Sequence, residues 1–170
     1  MREYSTEGVV LDRVSSREAD LRVTLYTRDL GKIIAKVKSG RAITSKLAPH
    51  LEPLNFVRLR IIEKNGFQVV DALRSGRLER SQIPIISAIS ALTSEADPDP
   101  EIWSLLERGP LTTVSILSIL GFDPTFATCI SCGSEKLARF SISDLSYRCA
   151  SCSGGEMGNQ YCIEVTPLAS

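Results

Sequence analysis

With 170 residues and 43% hydrophobic content, the chain can bury the core of one medium domain or two small ones. Its 20 basic and 20 acidic residues cancel, but unevenly: residues 1–80 hold 16 Lys+Arg against 10 Asp+Glu (net +6), and residues 81–170 hold 4 against 10 (net −6). A basic half joined to an acidic half points to a polyanion partner for the first, or to two parts with complementary surfaces. No stretch approaches the roughly 18 apolar residues of a membrane span. The longest apolar region, Ile83 to Leu92, is broken by Pro84, Ser87 and Ser90. Met1 to Glu7 carries no apolar run, so no signal peptide is expected. The expectation is a soluble, cytoplasmic protein with no membrane contact, where paired thiols more often mean metal than disulfide.

The first part of the chain reads as strands. Glu7 to Val14 is the first. Leu21 to Tyr26 alternates strictly, and Asp29-Leu30-Gly31 is a hairpin turn. Lys32 to Lys38 follows, with Ile33, Ala35 and Val37 on one face and Lys32, Lys36 and Lys38 on the other, beside Ile34. After a longer polar connection at 39–52, Phe56 to Glu63 sets Val57, Leu59 and Ile61 against Arg58 and Arg60. Asn65-Gly66 is a strong hairpin signal, and Phe67 to Ala72 returns as a fifth strand. Five strands with this spacing suit a small closed barrel, either an OB-fold or an SH3-like barrel.

From about residue 78 the pattern turns helical. Ile83, Ile86, Ile89 and Leu92 mark one helix, with Pro84 near its start. Ala96-Asp97-Pro98-Asp99-Pro100 reads as a linker. A short helix over Glu101 to Glu107 ends at Gly109-Pro110, and Leu111 to Leu120 is helical in composition, with Gly121 in the C-terminal position.

Cys129-Ile-Ser-Cys132 and Cys149-Ala-Ser-Cys152 are two C-x-x-C pairs separated by 16 residues. Each pair folds as a knuckle that aims two sulfurs at one point, and the intervening segment can form a hairpin that sets the pairs opposite each other. Gly133 and Gly154-Gly155 lie beside the knuckles, and Arg139 to Ile142 reads as a strand. Four thiolates complete a closed tetrahedral Zn²⁺ site with no position for water, which predicts one structural metal ion. Paired disulfides would close only tiny loops, and a thioredoxin-like redox site lacks its βαβ context. Cys162 falls outside the pattern and is read as a plain thiol; His50 is read as a surface residue.

Arg28, Lys32, Lys36, Lys38, Arg41 and Lys46 are six basic residues within 19 positions, opposed only by Asp29. With Arg58 and Arg60 they can form a stripe suited to a phosphate backbone, or a solvated strand face. Aromatics for base stacking are sparse: Tyr26 shares the outward parity of Arg22 and Arg28 and Phe67 is a second candidate, which argues for backbone contact more than for a strong stacking platform. No nucleophile–His–acid set, P-loop, dinucleotide motif or open metal site is present in the sequence, so a catalytic role is not expected.

On these residues the chain resembles the RecO family of bacterial recombination-mediator proteins. The segments are Thr6 to Leu11, Glu18 to Thr27, Gly31 to Arg41, Ser45-Lys46-Leu47, Leu51 to Leu54, and Leu117 to Pro124 running into Cys129-Ile-Ser-Cys132-Gly133. The resemblance implies an α+β, multi-part architecture. An OB-fold-like DNA-binding barrel would occupy residues 1–77, a reduced helical domain 78–125, a four-cysteine zinc module 126–156 and a C-terminal tail 157–170. It also implies binding of single- and double-stranded DNA, annealing of complementary strands, and partnership with RecR and with single-strand-binding protein, so that RecA loads during recombinational repair. By position, the eight basic residues become DNA-contact candidates. The helical span is short for the family, so the chain reads as a short member or as a divergent relative with another nucleic-acid task. A different class, an OB-plus-zinc-ribbon protein acting on RNA, the ribosome or the transcription machinery, also fits, as does an adaptor whose basic face meets an acidic protein.

Overall fold

The computed structural model describes residues 1–16, 20–38, 46–154 and 162–165. The chain forms two compact units: Met1–Arg80 with Thr93–Pro100, and Ser81–Leu92 with Glu101–Ser170.

In the first unit, β1 (Arg2–Ser15), β2 (Leu21–Thr27), β3 (Gly31–Val37), β4 (Asn55–Glu63) and β5 (Phe67–Arg77) close a barrel in the order β1-β2-β3-β5-β4. The long β1 serves two neighbours. Residues 2–9 pair antiparallel with β4, and residues 8–15 with β2, with a bulge between Val10 and Asp12 that bends the strand around the barrel. Closure through β1–β4 and a parallel β3–β5 contact is the Greek-key order of an OB-fold, which resolves the choice between the two barrels. Period-two alternation sends Val23, Leu25, Ile33, Ala35, Val57, Leu59 and Ile61 inward, where they form the core with Val10, Leu51 and Val69. Each Val, Leu or Ile side chain among them contributes about 1.5–3 kcal/mol on burial. The connection before β4 is not wholly polar: Leu51 is completely buried and Leu47 packs against the same core.

β3 and β5 pair only at Ala35–Phe67 and Lys36–Gln68, which leaves the N-terminal half of β3 without β5 beside it. Thr93–Pro100, which includes the expected linker Ala96 to Pro100, takes that place. The Ala96 N–H donates to the Lys32 carbonyl at 2.8 Å, and Lys32 and Glu95 form a parallel bridge. Gly31 makes this approach feasible. Its φ is +64°, and a Cβ there would lie 2.4 Å from the Asp97 carbonyl oxygen. Gly31→Ala is therefore expected to destabilise the barrel unit by roughly 2 kcal/mol, combining left-handed strain with a backbone clash. Gly66→Ala, at φ +112° with nothing within 4 Å, carries the strain alone. Urea unfolding of the two variants checks the difference; equal losses would deny the strap its tight seat.

In the second unit, α1 (Ile83–Leu92) buries Ile85, Ile86, Ala88 and Ile89, and α2 (Pro100–Arg108) buries Ile102, Trp103 and Leu106. α3 (Thr113–Ile119) starts at Thr112, whose hydroxyl accepts the Ser115 N–H at 3.0 Å. It ends with the Phe122 N–H on the Leu117 carbonyl and the Gly121 N–H on that of Ser118, the pair of bonds that closes a helix through a C-terminal glycine. β6 (Leu137–Ser141), β7 (Ser146–Cys149) and β8 (Cys162–Glu164) form a sheet in the order β7-β6-β8. Residues 162–164, expected within a tail, thus supply an edge strand of that sheet, and Cys162 sits opposite Ser141. Among the described residues, no helix is long and apolar enough to cross a membrane.

Candidate metal centre and candidate nucleic-acid interface

The four cysteines converge. The Sγ atoms of Cys129, Cys132, Cys149 and Cys152 all lie within 4.8 Å of one another. Each pair is held by its own short backbone bonds. In the first knuckle the Cys129 carbonyl accepts the Gly133 N–H at 2.8 Å, with Gly133 at φ +72°, and the Cys129 N–H donates to Ser134. In the second, Cys149 closes β7 and its carbonyl accepts the N–H groups of Cys152 and Ser153 at 3.2 and 3.0 Å. The Ile130 N–H donates to the Tyr147 carbonyl at 3.0 Å and so ties the first knuckle to β7.

The donor set fits a tetrahedral thiolate-bound ion. Metal–sulfur bonds of about 2.3 Å put neighbouring sulfurs about 3.8 Å apart, and Cys132 and Cys149 are 3.7 Å apart. Backbone N–H groups, that of Cys149 foremost, pull the Cys129 thiol down to about 6. Hydrogen bonding to the other sulfurs, that of Cys149 foremost, pushes Cys152 up to about 12. Thiols this close ionise together only around a cation. Beneath the knuckles the packing is small: Phe140 meets Phe122 at 5.1 Å and Tyr147 at 4.9 Å between ring centroids. The Tyr147 hydroxyl donates to the Phe122 carbonyl, and burial pushes its pKa up to about 12.

The basic residues divide into groups. On β3, Lys36 and the adjoining Lys38 are exposed, and Lys36 pairs with Asp20 at 2.8 Å. Arg22 on β2 is exposed and lies directly opposite Lys36 in the β2–β3 register. Asp20 offsets one of these two charges, and the pair keeps a net positive charge that attracts a further anion. Arg22 did not stand out among the contact candidates because its partner is 14 positions away and only the register pairs them. Lys46 is exposed, and Arg41 lies outside the described residues. Arg28, in the β2–β3 turn, pairs with Glu7 at 3.0 Å.

Three expectations change. Arg58 and Arg60 do not continue the β2–β3 stripe: β4 is separated from β2 by β1 and from β3 by β5. Around them lie Glu7 opposite Arg58, Asp71 opposite Arg60, and Glu3 paired with Arg60 at 2.9 Å. Alternation says which residues point outward but not which strands adjoin. Lys32 is half-buried, and its ammonium donates to the Thr93 carbonyl. Tyr26 has outward parity yet is completely buried: its hydroxyl accepts the Asp99 N–H at 3.1 Å, and burial raises its pKa. Phe67 is half-buried against the core, so no barrel aromatic is exposed for stacking among the described residues.

Residues 1–77 match the family described as "Recombination protein O N terminal". A protein of Myxococcus xanthus, "DNA repair protein RecO", is 30% identical over 158 residues, covering 78% of this chain and 65% of that protein. Its namesake in Thermodesulfovibrio yellowstonii is 29% identical, covering 88% of this chain and 70% of that protein. That of Bacillus pumilus is 24% identical, covering 97% and 73%. The chain thus spans about two thirds of the length of the curated relatives it matches. Together with the five-stranded barrel in OB-fold order and the four clustered cysteines, these matches over most of the chain support the RecO family.

Proposed function

We propose that the protein is a non-catalytic, DNA-binding recombination mediator of the cytoplasm. It anneals complementary strands and helps load a recombinase onto single-stranded DNA during recombinational repair. The observation that carries this reading is the Arg22–Lys36 pair, flanked by Lys38, on the β2–β3 face of an OB barrel. That face is the one such barrels use for oligonucleotides. The names of the relatives supply the biological setting. The contact is electrostatic and sequence-blind, because exposed cations face it and exposed rings do not. RecR and single-strand-binding protein are the proposed protein partners. The proposed metal is a single Zn²⁺ held by Cys129, Cys132, Cys149 and Cys152, and a closed set of four thiolates gives it a structural task.

The test is binding of labelled single-stranded DNA across a salt series, followed by an annealing assay with and without the cognate single-strand-binding protein. Three to four phosphate contacts on a single strand predict a slope of log K against log salt of roughly −2 to −3. Annealing should be accelerated for any complementary pair. No binding at low salt would end this reading, and preferential capture of structured RNA over DNA would move the protein to the ribosomal or transcriptional class.

A further inference from the structure

An OB barrel offers both halves of its β2–β3 face to a nucleic acid, but here one half is occupied by the chain itself. The segment Thr93–Pro100 fills the gap beside the N-terminal half of β3 through the Ala96–Lys32 backbone bond and the Lys32–Glu95 bridge. It takes the Lys32 ammonium on the Thr93 carbonyl and holds the buried Tyr26 by its hydroxyl, which accepts the Asp99 N–H. The strap therefore engages one basic and one aromatic group that otherwise suit a polyanion with stacked bases. It also brings its own charge. Glu95, Asp97 and Asp99 stand at alternate positions, Glu95 and Asp97 are exposed, and the strap contains no basic residue.

A segment needed only to complete a strand edge requires its backbone, not carboxylates. Nor is its backbone relaxed: Ala96 holds φ +55° while donating to Lys32. From the seat, the charge and the Tyr26 hydroxyl held at Asp99, we infer that Thr93–Pro100 is a built-in acidic fence. It bars a nucleic-acid strand from the Tyr26–Lys32 half of the β2–β3 face and confines it to the half bearing Arg22, Lys36 and Lys38. The inference rests on the DNA-binding reading and deepens it by naming the path. It assigns Lys32, which looked like a DNA contact by alternation, to holding the fence. It also makes the accessible site shorter than the barrel's full width, and it puts a stacking platform in reserve beneath the strap.

Two variants test the fence with the full chain and a labelled oligothymidine. Glu95→Gln with Asp97→Asn keeps side-chain shape and removes two charges. It should tighten binding roughly two- to fivefold at low salt, with the gain lost when salt shortens the Debye length to about 3 Å at 1 M. Ala96→Pro removes the N–H given to Lys32 and cannot adopt φ +55°, so it should release the strap. Release should tighten binding at least about threefold and leave a gain that persists at high salt, because the freed Tyr26 ring can stack on a base. Unchanged affinity in the charge variant overturns the fence even if Ala96→Pro fails to fold. Absence of binding by the wild type and by the charge variant alike would instead overturn the DNA reading itself.

Discussion

Replacing Cys129 by Ser should unfold the metal module, with the loss of an ion and of order 5 kcal/mol or more of stability. The size follows from how little else holds that region. The packing under the knuckles is the Phe122–Phe140–Tyr147 cluster with Ile163, and aromatic pairs of this kind add only about 0.5–1.5 kcal/mol each beyond their burial. The knuckles themselves are two short turns whose sulfurs repel as thiolates unless a cation stands among them. Metal analysis of the purified protein should give one zinc per chain in the wild type and none in the variant. Chelation of the wild type should reproduce the variant's melting curve, and acidification should release the metal, because protons compete for each thiolate. DNA affinity should fall less, since Arg22, Lys36 and Lys38 belong to the other unit. A variant that lost DNA binding while melting like the wild type would give the metal a direct role in recognition.

Reversing charge at Arg22, Lys36 and Lys38 together should weaken DNA binding at least about a hundredfold, because three contacts are lost and three repulsions gained. The barrel should stay folded, since all three side chains are exposed and their stems contribute little to the core. The informative control is the same reversal at Arg58 and Arg60. These lie on β4 among Glu3, Glu7 and Asp71, on a strand that adjoins neither β2 nor β3. Their reversal should cost about threefold or less, through the general field alone. Equal losses from the two sets, measured by anisotropy at fixed salt, would mean that the polyanion does not choose the β2–β3 face.

What depends on near neighbours is legible without a structure. The two C-x-x-C pairs set their sulfurs by turns four residues long, and the strands announce themselves through period-two alternation, so the four clustered cysteines and the barrel's inward residues can be read from the chain directly. The hairpins at Gly31 and Asn65-Gly66 follow from backbone conformations that few residues adopt: φ +64°, +54° and +112°. Which strands adjoin, and so which cations share a face, is settled only by tertiary structure. Arg22 joins Lys36 through register, whereas Arg58 and Arg60 are moved away by the β1–β4 closure. The fate of Tyr26 is settled at the same level: its outward parity is true of the strand, and the partner of its hydroxyl is Asp99, 73 residues later. Local pattern carries no information about contacts at that separation. They are selected by the need to satisfy an unpaired β3 edge and to cover an aromatic ring, and those needs exist only once the barrel has formed.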